Sequence, residues 1–444
     1  MSNEKKALDY HKLPTPGKII VKPSKPCETK EDLSLAYTPG VAIPCLEIKE
    51  KPDTVWEYTA KNNLVAVVSD GTAVLGLGNI GPEAGIPVME GKAVLFKHFA
   101  DIDSIPLCLC KVFNDKGSSD AAKLIETVER LEPCFGGINL EDIGAPACFE
   151  VEQTLKKKMS IPVFHDDQHG TAIISLAGIL NALKLTGRKI EESRFVVNGA
   201  GAAGIACAEY YVSAGAKREN FIMCDSKGVI YKGRPDMTPE KEKFASNTKA
   251  RTLLEAFEGA DVFTGFSKGN VVTEEMIRKM AKNPIVFAMA NPTPEIMPDK
   301  AIAAGAAVVG TGRSDFANQV NNVLGFPGIF RGALDVRATD INEAMKLAAT
   351  KAIAEIASEE VPENIKKVLA KAYPEDAANG MFDGKCPLGT SFVIPKPFDP
   401  RVVPRVARYV AKAAMDSGVA RIKINDFDSY EKAVTARILK SQQE

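Results

Sequence analysis

The sequence has no long hydrophobic run and almost no net charge, and these two absences exclude whole classes of protein. Its 444 residues carry 56 Lys and Arg against 57 Asp and Glu, for a formal charge of -1. We therefore expect neither nucleic acid nor an anionic membrane surface as a partner. No segment reaches the length of a membrane span, and the first residues resemble neither a signal peptide nor a transit peptide. A cytoplasmic location is the expectation.

The nine cysteines lack any recognisable pattern. They form no CxxC pair and no metal-finger spacing, Cys108 and Cys110 are one residue apart, and the total is odd. This usage is typical of mostly buried thiols in a reducing compartment. Because 444 residues exceed one ordinary hydrophobic core, the length predicts two or three domains.

Hydrophobic patterning predicts a first domain over residues 1–160. Residues 1–50 are rich in proline and charge, which indicates an arm of short helices and turns. The run LVAVVSDG from Leu64 predicts a buried strand, and a second apolar run lies at Ile105 to Val112. We interpret this part as a small α/β domain that carries the extended arm and faces the substrate.

Residues 161–444 are predicted to form a Rossmann-type dinucleotide-binding domain with C-terminal helices. The segment from Gly170 to Leu185 predicts a helix buried between layers. Short β-rich runs then alternate with helical stretches, which favours a parallel sheet and an α/β class. Helical periodicity returns at Ile341 to Ile356 and at Ser429 to Lys440. The predicted strands are Phe195 to Val197, Phe221 to Cys224, Val262 to Thr264, Ile285 to Ala288 and Ala307 to Val309.

A GxGxxG motif follows the first of these strands. In VVNGAGAAG, Gly199 permits a tight turn, Gly201 lets the backbone approach a pyrophosphate, and Gly204 lets helix and strand pack closely. Ala202 and Ala203 fall at the helix N-terminus, which faces the anion. The second strand ends at Asp225, at the spacing where an acid meets the adenosine ribose.

The residues after Asp225 bear on the choice between NADP and NAD. Asp225 alone favours NAD, because its charge repels a 2′-phosphate. Several cations follow closely and can neutralise that charge, so we favour NADP, with NAD as the alternative. A solvated surface loop explains the same cations nearly as well. These cations are Lys227, Lys232, Arg234, Lys241 and Lys243.

A second glycine run, Gly76, Gly78 and Gly81, is a weaker signal. Pro82 follows it directly, and no long apolar helix is expected there. We interpret this run as a turn on the substrate side.

Two acidic pairs each follow an apolar segment: Glu141 with Asp142, and Asp166 with Asp167. Several carboxylates at the mouth of one cleft repel each other unless a cation is present. Their hard oxygen atoms favour Mg²⁺ or Mn²⁺. We expect the flanking His165 and His169 to be supporting or packing residues, since the oxygen-rich surroundings argue against zinc.

At this point several segments, in order over about 300 residues, resemble the malic enzymes in their small form. They are SLAYTPGVA at 34–42, MEGKAVLFK at 89–97, NLEDIGAP, FHDDQHGTA, VVNGAGAAG, ANPTPE at 290–295 and NNVLGFPGIFRGALD at 321–335. The resemblance implies oxidation and decarboxylation of malate to pyruvate and carbon dioxide, with reduction of NADP or NAD and dependence on Mg²⁺ or Mn²⁺.

The resemblance also implies residue roles. Tyr37 becomes the general acid, and Lys92 the general base or its proton partner, with Asp166 helping Lys92 handle the proton. Glu141, Asp142 and Asp167 become the metal ligands. Asn291 and Asn322 would bind the substrate carboxylate, with Asn291 also beside the cofactor. Judged without the family, Tyr37 would pass as an ordinary loop tyrosine and Lys92 as a surface lysine.

One departure and three alternatives stay open. Larger members carry a substrate-gripping arginine shortly after the Asp-Gly of the first strand, where this chain has Thr72 and Ala73. The holder of the malate 4-carboxylate is therefore not identified. The alternatives are a malolactic enzyme, a 2-hydroxy-acid dehydrogenase without decarboxylation, and an inactive dinucleotide-binding sensor. Because Tyr37 lies in a proline-rich arm, we also expect a homodimer in which it completes the partner's site.

Overall fold

The computed structural model describes residues 3–74, 76–384 and 387–443, which form two sheets enclosed by helices. The strands are β1 (Leu64–Ser69), β2 (Asp103–Cys108), β3 (Gly137–Leu140), β4 (Val163–His165), β5 (Phe195–Asn198), β6 (Phe221–Asp225), β7 (Gly228–Val229), β8 (Val262–Gly265), β9 (Ile285–Ala288), β10 (Val308–Thr311) and β11 (Asn318–Gln319).

The α-helices are α1 (Asn3–Lys12), α2 (Lys30–Ala36), α3 (Ala42–Glu50), α4 (Val55–Tyr58), α5 (Pro82–Ala100), α6 (Ala121–Glu129), α7 (Ala147–Lys158), α8 (Asp166–Leu185), α9 (Ala202–Ser213), α10 (Pro239–Glu242), α11 (Leu253–Ala256), α12 (Glu274–Lys279), α13 (Pro298–Ala303), α14 (Phe326–Asp335), α15 (Glu343–Ile356), α16 (Glu363–Ala372), α17 (Pro374–Ala378), α18 (Val402–Asp416) and α19 (Phe427–Ser441). Short 3₁₀ turns lie at Pro52–Thr54, Ala60–Asn63, Glu132–Cys134, Arg218–Asn220 and Asn322–Leu324.

The first sheet has the order β2-β1-β3-β4, and its strands are all parallel. One face packs on α6 and α7 through side chains such as Leu124 and Val151. The other face packs on α5 and α14, where Phe96 meets Phe326 and Phe330 edge-on. Strands β1, β3 and β4 are almost entirely buried and read as largely apolar runs, whereas the edge strand β2 is only partly buried.

The second sheet has the order β11-β10-β9-β8-β5-β6-β7, parallel except for β7. Residues of β5 alternate between two cores: Phe195 and Val197 face α8 and α9, while Val196 faces the α12–α13 side. Strand order reverses between β6 and β8, on either side of β5. That reversal at the carboxyl end of β5 is where dinucleotides bind in such sheets.

The structure confirms the α/β class and the helix-buried parallel sheets. The first part of the run at Ile105 to Val112 lies in β2, which begins two residues earlier at Asp103 and ends at Cys108. The helix expected from Gly170 begins at Asp166, so both acids of that pair lie in its first turn. Strands β3 and β4, which precede the two acidic pairs, had been recognised only as apolar segments.

Two expectations were wrong. A 19-residue helix, α5, does follow Gly81: Pro82 begins it, because proline at the first helical position loses no intrahelical hydrogen bond. The cysteines are also not mostly buried. Of the eight in the described residues, all free, four are exposed and three are buried.

The arm, residues 3–50, has α1, α2 and α3 with no buried side chain among them. It touches the body near Lys18, whose backbone N–H donates to Glu90 on α5 at 3.0 Å. Within the described residues, no helix is long and apolar enough to cross a membrane.

Candidate active site

The carboxyl ends of β3 and β4 bring the acidic residues together. Glu141 and Asp142 follow β3, and Asp166 and Asp167 open α8 directly after β4. One carboxylate oxygen from each of Glu141, Asp142 and Asp167 lies within 4.8 Å of the others. Glu141 and Asp142 are buried, whereas the Asp167 side chain is 41% exposed. The cluster is therefore open to solvent on the Asp167 side.

Hydrogen bonds fix this cluster. Asn139 donates its side-chain N–H to Glu141 Oε2 at 2.8 Å. The backbone N–H of Asp142 donates to Asp167 Oδ2 at 2.7 Å. Asp142 has a φ of 54°, in the left-handed region that only a few residue types, aspartate among them, adopt readily.

The donor set fits a hard divalent cation. Burial raises the pKa of Glu141 and of Asp166, because the charged form of each is costly in a dry site. Four carboxylates converge here, and Lys92 is in contact with two of them, Glu141 and Asp166. A bound Mg²⁺ or Mn²⁺ would supply the missing positive charge.

Lys92 lies between the two acidic pairs. Its Nζ is 2.7 Å from Asp166 Oδ2, 2.8 Å from Glu141 Oε1 and 4.3 Å from the centre of the Phe326 ring. Burial alone would lower the pKa of Lys92, but the neighbouring carboxylates, Asp166 first, outweigh burial and raise it. Lys92 is therefore a charged, hydrogen-bonded lysine and not the surface lysine that its residue type suggested.

Helical spacing explains why Lys92 is buried. It lies three residues after Met89 and four before Phe96, on the stripe of α5 that faces the core. The sequence thus held a signal for Lys92, which was missed because no helix was expected after Pro82.

Asn322 and Asn291 approach the cleft from the second sheet. Asn322 lies against the second turn of α8: its side-chain oxygen accepts from Thr171 Oγ1 at 3.2 Å, and a Cβ built on Gly170 would be 2.7 Å from its Cγ. Asn291 follows β9 and is exposed, with its carbonyl oxygen 3.3 Å from a Cβ built on Gly76. The second glycine run therefore lies against Asn291 at Gly76.

A buried acid that the sequence did not reveal supports the start of α8. Glu152 on α7 accepts from His169 Nε2 at 2.9 Å and from the backbone N–H of His165 at 3.1 Å. Although burial opposes ionisation, the charge of His169 lowers the pKa of Glu152 to about 2. Lys346 lies 3.2 Å from His169 Nδ1. His169 is thus bound to Glu152 behind the acids, whereas His165 Nδ1 lies 3.7 Å from Asp167 Oδ2 at the edge of the cluster.

The glycine loop after β5 has the geometry expected of it. A Cβ on Gly199 would meet Phe266 O at 2.5 Å, and one on Gly204 would overlap the carbonyl oxygen of Gly199. Gly201 faces open space, and α9 begins at Ala202 with no side-chain cap. The first N–H groups of α9, including that of Ala203, are therefore available to an anion.

The carboxylate of Asp225, at the end of β6, is already bound by cations of the same chain. Arg234 binds both of its carboxylate oxygens, at 2.8 and 2.9 Å, and Lys241 Nζ lies 2.8 Å from Oδ2. Although burial opposes it, these partners, Lys241 first, lower the pKa of Asp225. Lys227 instead pairs with Asp236 at 2.6 Å on the surface. The side chains of two predicted cations thus surround Asp225, whereas Lys227 reaches it only through its backbone N–H, which donates to Oδ1 at 2.9 Å.

Tyr37 is not brought to this cluster by its own chain. Its side chain is 72% exposed, and the described contacts of Lys92 do not include it. The arm around it presents a row of exposed apolar side chains, namely Leu8, Leu13, Ile20, Val21, Leu33, Leu35, Ile43 and Leu46.

Comparison with known proteins decides the family. The model for the malic enzyme N-terminal domain matches residues 16–156, and the model for the malic enzyme NAD binding domain matches residues 168–374. A bifunctional malic/malolactic enzyme of Bacillus subtilis is 53% identical, over 97% of this chain and 98% of that relative. The chain belongs to the malic enzyme family.

Two further malic enzymes support this membership. The crystal structure of a malic enzyme from Pyrococcus horikoshii superposes with a TM-score of 0.87, at 43% identity, over 100% of this chain and 97% of that one. The NADP-dependent malic enzyme of Salmonella typhimurium is 54% identical over 98% of this chain but only 55% of its own length. The chain thus spans about half the length of that curated relative.

Proposed function

We propose that the chain is a malic enzyme that oxidises malate and decarboxylates the product to pyruvate, with NADP as the cofactor and Mg²⁺ or Mn²⁺ as the metal. The observation that carries the proposal is the buried contact of Lys92 with Asp166 and Glu141 beside a three-carboxylate cluster. A 2-hydroxy-acid dehydrogenase that does not decarboxylate requires no such metal cluster, and a sensor without activity requires no proton-transferring lysine.

Each group has a defined task in the reaction. We assign Glu141, Asp142 and Asp167 to hold the cation, which when bound would polarise the substrate oxygens and stabilise negative charge as carbon dioxide leaves. The glycine loop and the N-terminus of α9 would bind the pyrophosphate, and the nicotinamide would accept the hydride. We also propose that Asn291 and Asn322 orient the substrate carboxylate.

Proton transfer is assigned to Lys92, Asp166 and Tyr37. Lys92 accepts the proton of the malate C2 hydroxyl after passing its own to Asp166, whose carboxylate is 2.7 Å away. Tyr37 then protonates C3 of the enolate to give pyruvate.

Product analysis separates this proposal from the malolactic alternative. Malate incubated with Mn²⁺ and NADP should give pyruvate and reduced cofactor in equal amounts. Lactate without net cofactor reduction would favour the malolactic reaction, which the name of the Bacillus subtilis relative includes.

NADP is favoured because Asp225 is neutralised where the 2′-phosphate would lie. The single carboxylate of Asp225 pairs with two cations, Arg234 and Lys241, so the three side chains together carry one net positive charge. Both carboxylate oxygens already accept hydrogen bonds, so Asp225 is poorly placed to bind ribose hydroxyls in the manner of an NAD enzyme.

Lys241→Gln is expected to raise KM for NADP by about tenfold, equivalent to about 1.4 kcal/mol, because one of two phosphate-facing cations is lost. KM for NAD should change little. Lys227→Gln is the matched control and should have the smaller effect, since Lys227 pairs with Asp236 on the surface. Steady-state kinetics with both cofactors measure this, and a wild-type preference for NAD would contradict it.

A homodimer is proposed because, among the residues that the structure describes, none buries the apolar side chains of the arm. The exposed apolar row on the arm, together with an exposed Tyr37, suits a surface that a second copy buries. On this view Tyr37 enters the site of the partner. A cytoplasmic location is proposed with it, from the free cysteines of the described chain.

Tyr37→Phe is expected to lower pyruvate formation by about 100-fold or more, because general acid catalysis is lost, while reduction of oxaloacetate partly survives. Tyr10→Phe, at another exposed tyrosine of the arm, is the control. Equal loss of both activities would remove Tyr37 from the protonation step.

Subunit mixing tests whether the site is shared. Inactive Tyr37→Phe and inactive Lys92→Ala chains, refolded together in equal amounts, should recover about a quarter of wild-type activity, since half of random dimers are mixed and each has one intact site. No recovery would confine each site to one chain.

A further inference from the structure

The loop that carries Asp142 is held by the turn after β1. We name residues 141–144 the ligand loop and residues 70–73 the clamp turn. Ala73 N donates to the carbonyl oxygen of Asp142 at 3.0 Å. Two residues further along the ligand loop, Gly144 N donates to Thr72 Oγ1 at 2.7 Å. The clamp turn therefore grips the ligand loop at two points on the carboxyl side of Glu141.

The Thr72 hydroxyl uses its full hydrogen-bonding capacity within the protein. Its single hydrogen goes to Asp70 Oδ1 at 2.6 Å, and Asp70 is completely buried. One lone pair accepts from Gly144 N–H. The 2.9 Å contact with Ser119 Oγ must then have Ser119 as the donor. Thr72 consequently links the buried Asp70 to the ligand loop through hydrogen bonds to both.

Asp142 needs such support because its conformation is unfavourable on its own. A φ of 54° in a residue other than glycine persists only where the surroundings over-determine it. Its N–H is bound to Asp167 Oδ2, and its carbonyl oxygen is bound to Ala73 N. Without the hydrogen bond from Gly144 N–H to Thr72 Oγ1, the ligand loop would no longer be held on the C-terminal side of Asp142.

We propose that Thr72 is a positioning residue for the metal site: by accepting from Gly144 N while bound to Asp70, it keeps Asp142 turned toward Glu141 and Asp167. The inference rests on the proposed metal site. A hydroxyl that uses its hydrogen and both lone pairs within the protein has nothing left to offer a substrate carboxylate.

Thr72→Val tests the proposal, since valine keeps the shape of threonine and removes only the hydroxyl. Mn²⁺ affinity, measured by titration of the free Mn²⁺ paramagnetic resonance signal without malate or nucleotide, should fall by about 10- to 100-fold. Thr72→Ser keeps the hydroxyl and should stay within about threefold of wild type. At saturating Mn²⁺, Thr72→Val should regain most of its kcat, since no group that touches substrate has been removed.

Ser119→Ala provides the second variant, in case Thr72→Val folds poorly. It leaves the bonds from Thr72 to Asp70 and Gly144 in place, so Mn²⁺ affinity should stay within about threefold of wild type. Unchanged Mn²⁺ affinity in folded Thr72→Val, or equal losses in Thr72→Val and Thr72→Ser, would overturn the positioning role. Wild-type protein that binds no Mn²⁺ would instead overturn the metal site itself, so the two failures are distinguishable.

Discussion

Asp167→Ala is expected to lower turnover of malate by about a thousandfold, corresponding to about 4 kcal/mol of lost charge stabilisation in the transition state. The variant removes one of three clustered carboxylates and also the acceptor of the Asp142 N–H. Both losses act on the cation, so raising Mn²⁺ through the range that saturates the wild type should not restore activity.

Asp115→Ala is the matched control, because Asp115 is an exposed aspartate of the same α/β part of the chain. It should retain wild-type kcat and wild-type Mn²⁺ affinity. Substantial turnover by Asp167→Ala at ordinary Mn²⁺, or full wild-type activity in excess chelator, would contradict the assignment of this cluster.

Lys92→Arg is expected to lower kcat by about a thousandfold while leaving the fold and Mn²⁺ binding largely intact. Arginine keeps the positive charge between Asp166 and Glu141, so neither acid is left as an uncompensated buried anion. It cannot give up its proton at neutral pH, so the base function is lost, and general base catalysis accounts for about 100- to 10,000-fold in rate.

Lys97→Arg is the control on the same helix. Lys97 lies five residues further along α5, half exposed, where it pairs with Asp101 and Asp103. Its replacement should leave kcat unchanged. Near-normal turnover by Lys92→Arg would show that Lys92 contributes charge alone and that another group takes the hydroxyl proton.

The fold followed closely from the apolar runs. Strands buried on both faces, such as β5 and β9, leave an unbroken β-rich signature that needs no knowledge of their partners. The order of strands within each sheet did not follow, because it depends on which helices cover which face. Strands β3 and β4 are only four and three residues long, too short to be distinguished from loop segments by periodicity.

Lys92 shows how one wrong element hides a functional residue. Once proline is recognised as a suitable first residue of a helix, Met89, Lys92 and Phe96 fall on one stripe. A lysine in the middle of a buried stripe requires a partner of opposite charge. Lys92 can therefore be identified from helical spacing and charge, without any family resemblance.

Other supporting residues were beyond the reach of sequence reasoning. Thr72, Ser119 and Gly144 are far apart along the chain and share no motif, so their hydrogen bonds exist only in the folded structure. Glu152 is likewise an unremarkable acid in α7 until the fold places His169 against it. Clustered cations after Asp225 were visible, but which of them turn inward was not.

The measurement that tests the central proposal most directly is the appearance of reduced nicotinamide, followed by absorbance, when malate, Mn²⁺ and NADP are combined with the wild-type chain. We expect absorbance to rise only when all three are present, pyruvate to accumulate in the same amount as reduced cofactor, and chelator to stop both. Absence of any rise with either NADP or NAD, or conversion of malate to lactate at constant absorbance, would contradict the proposal.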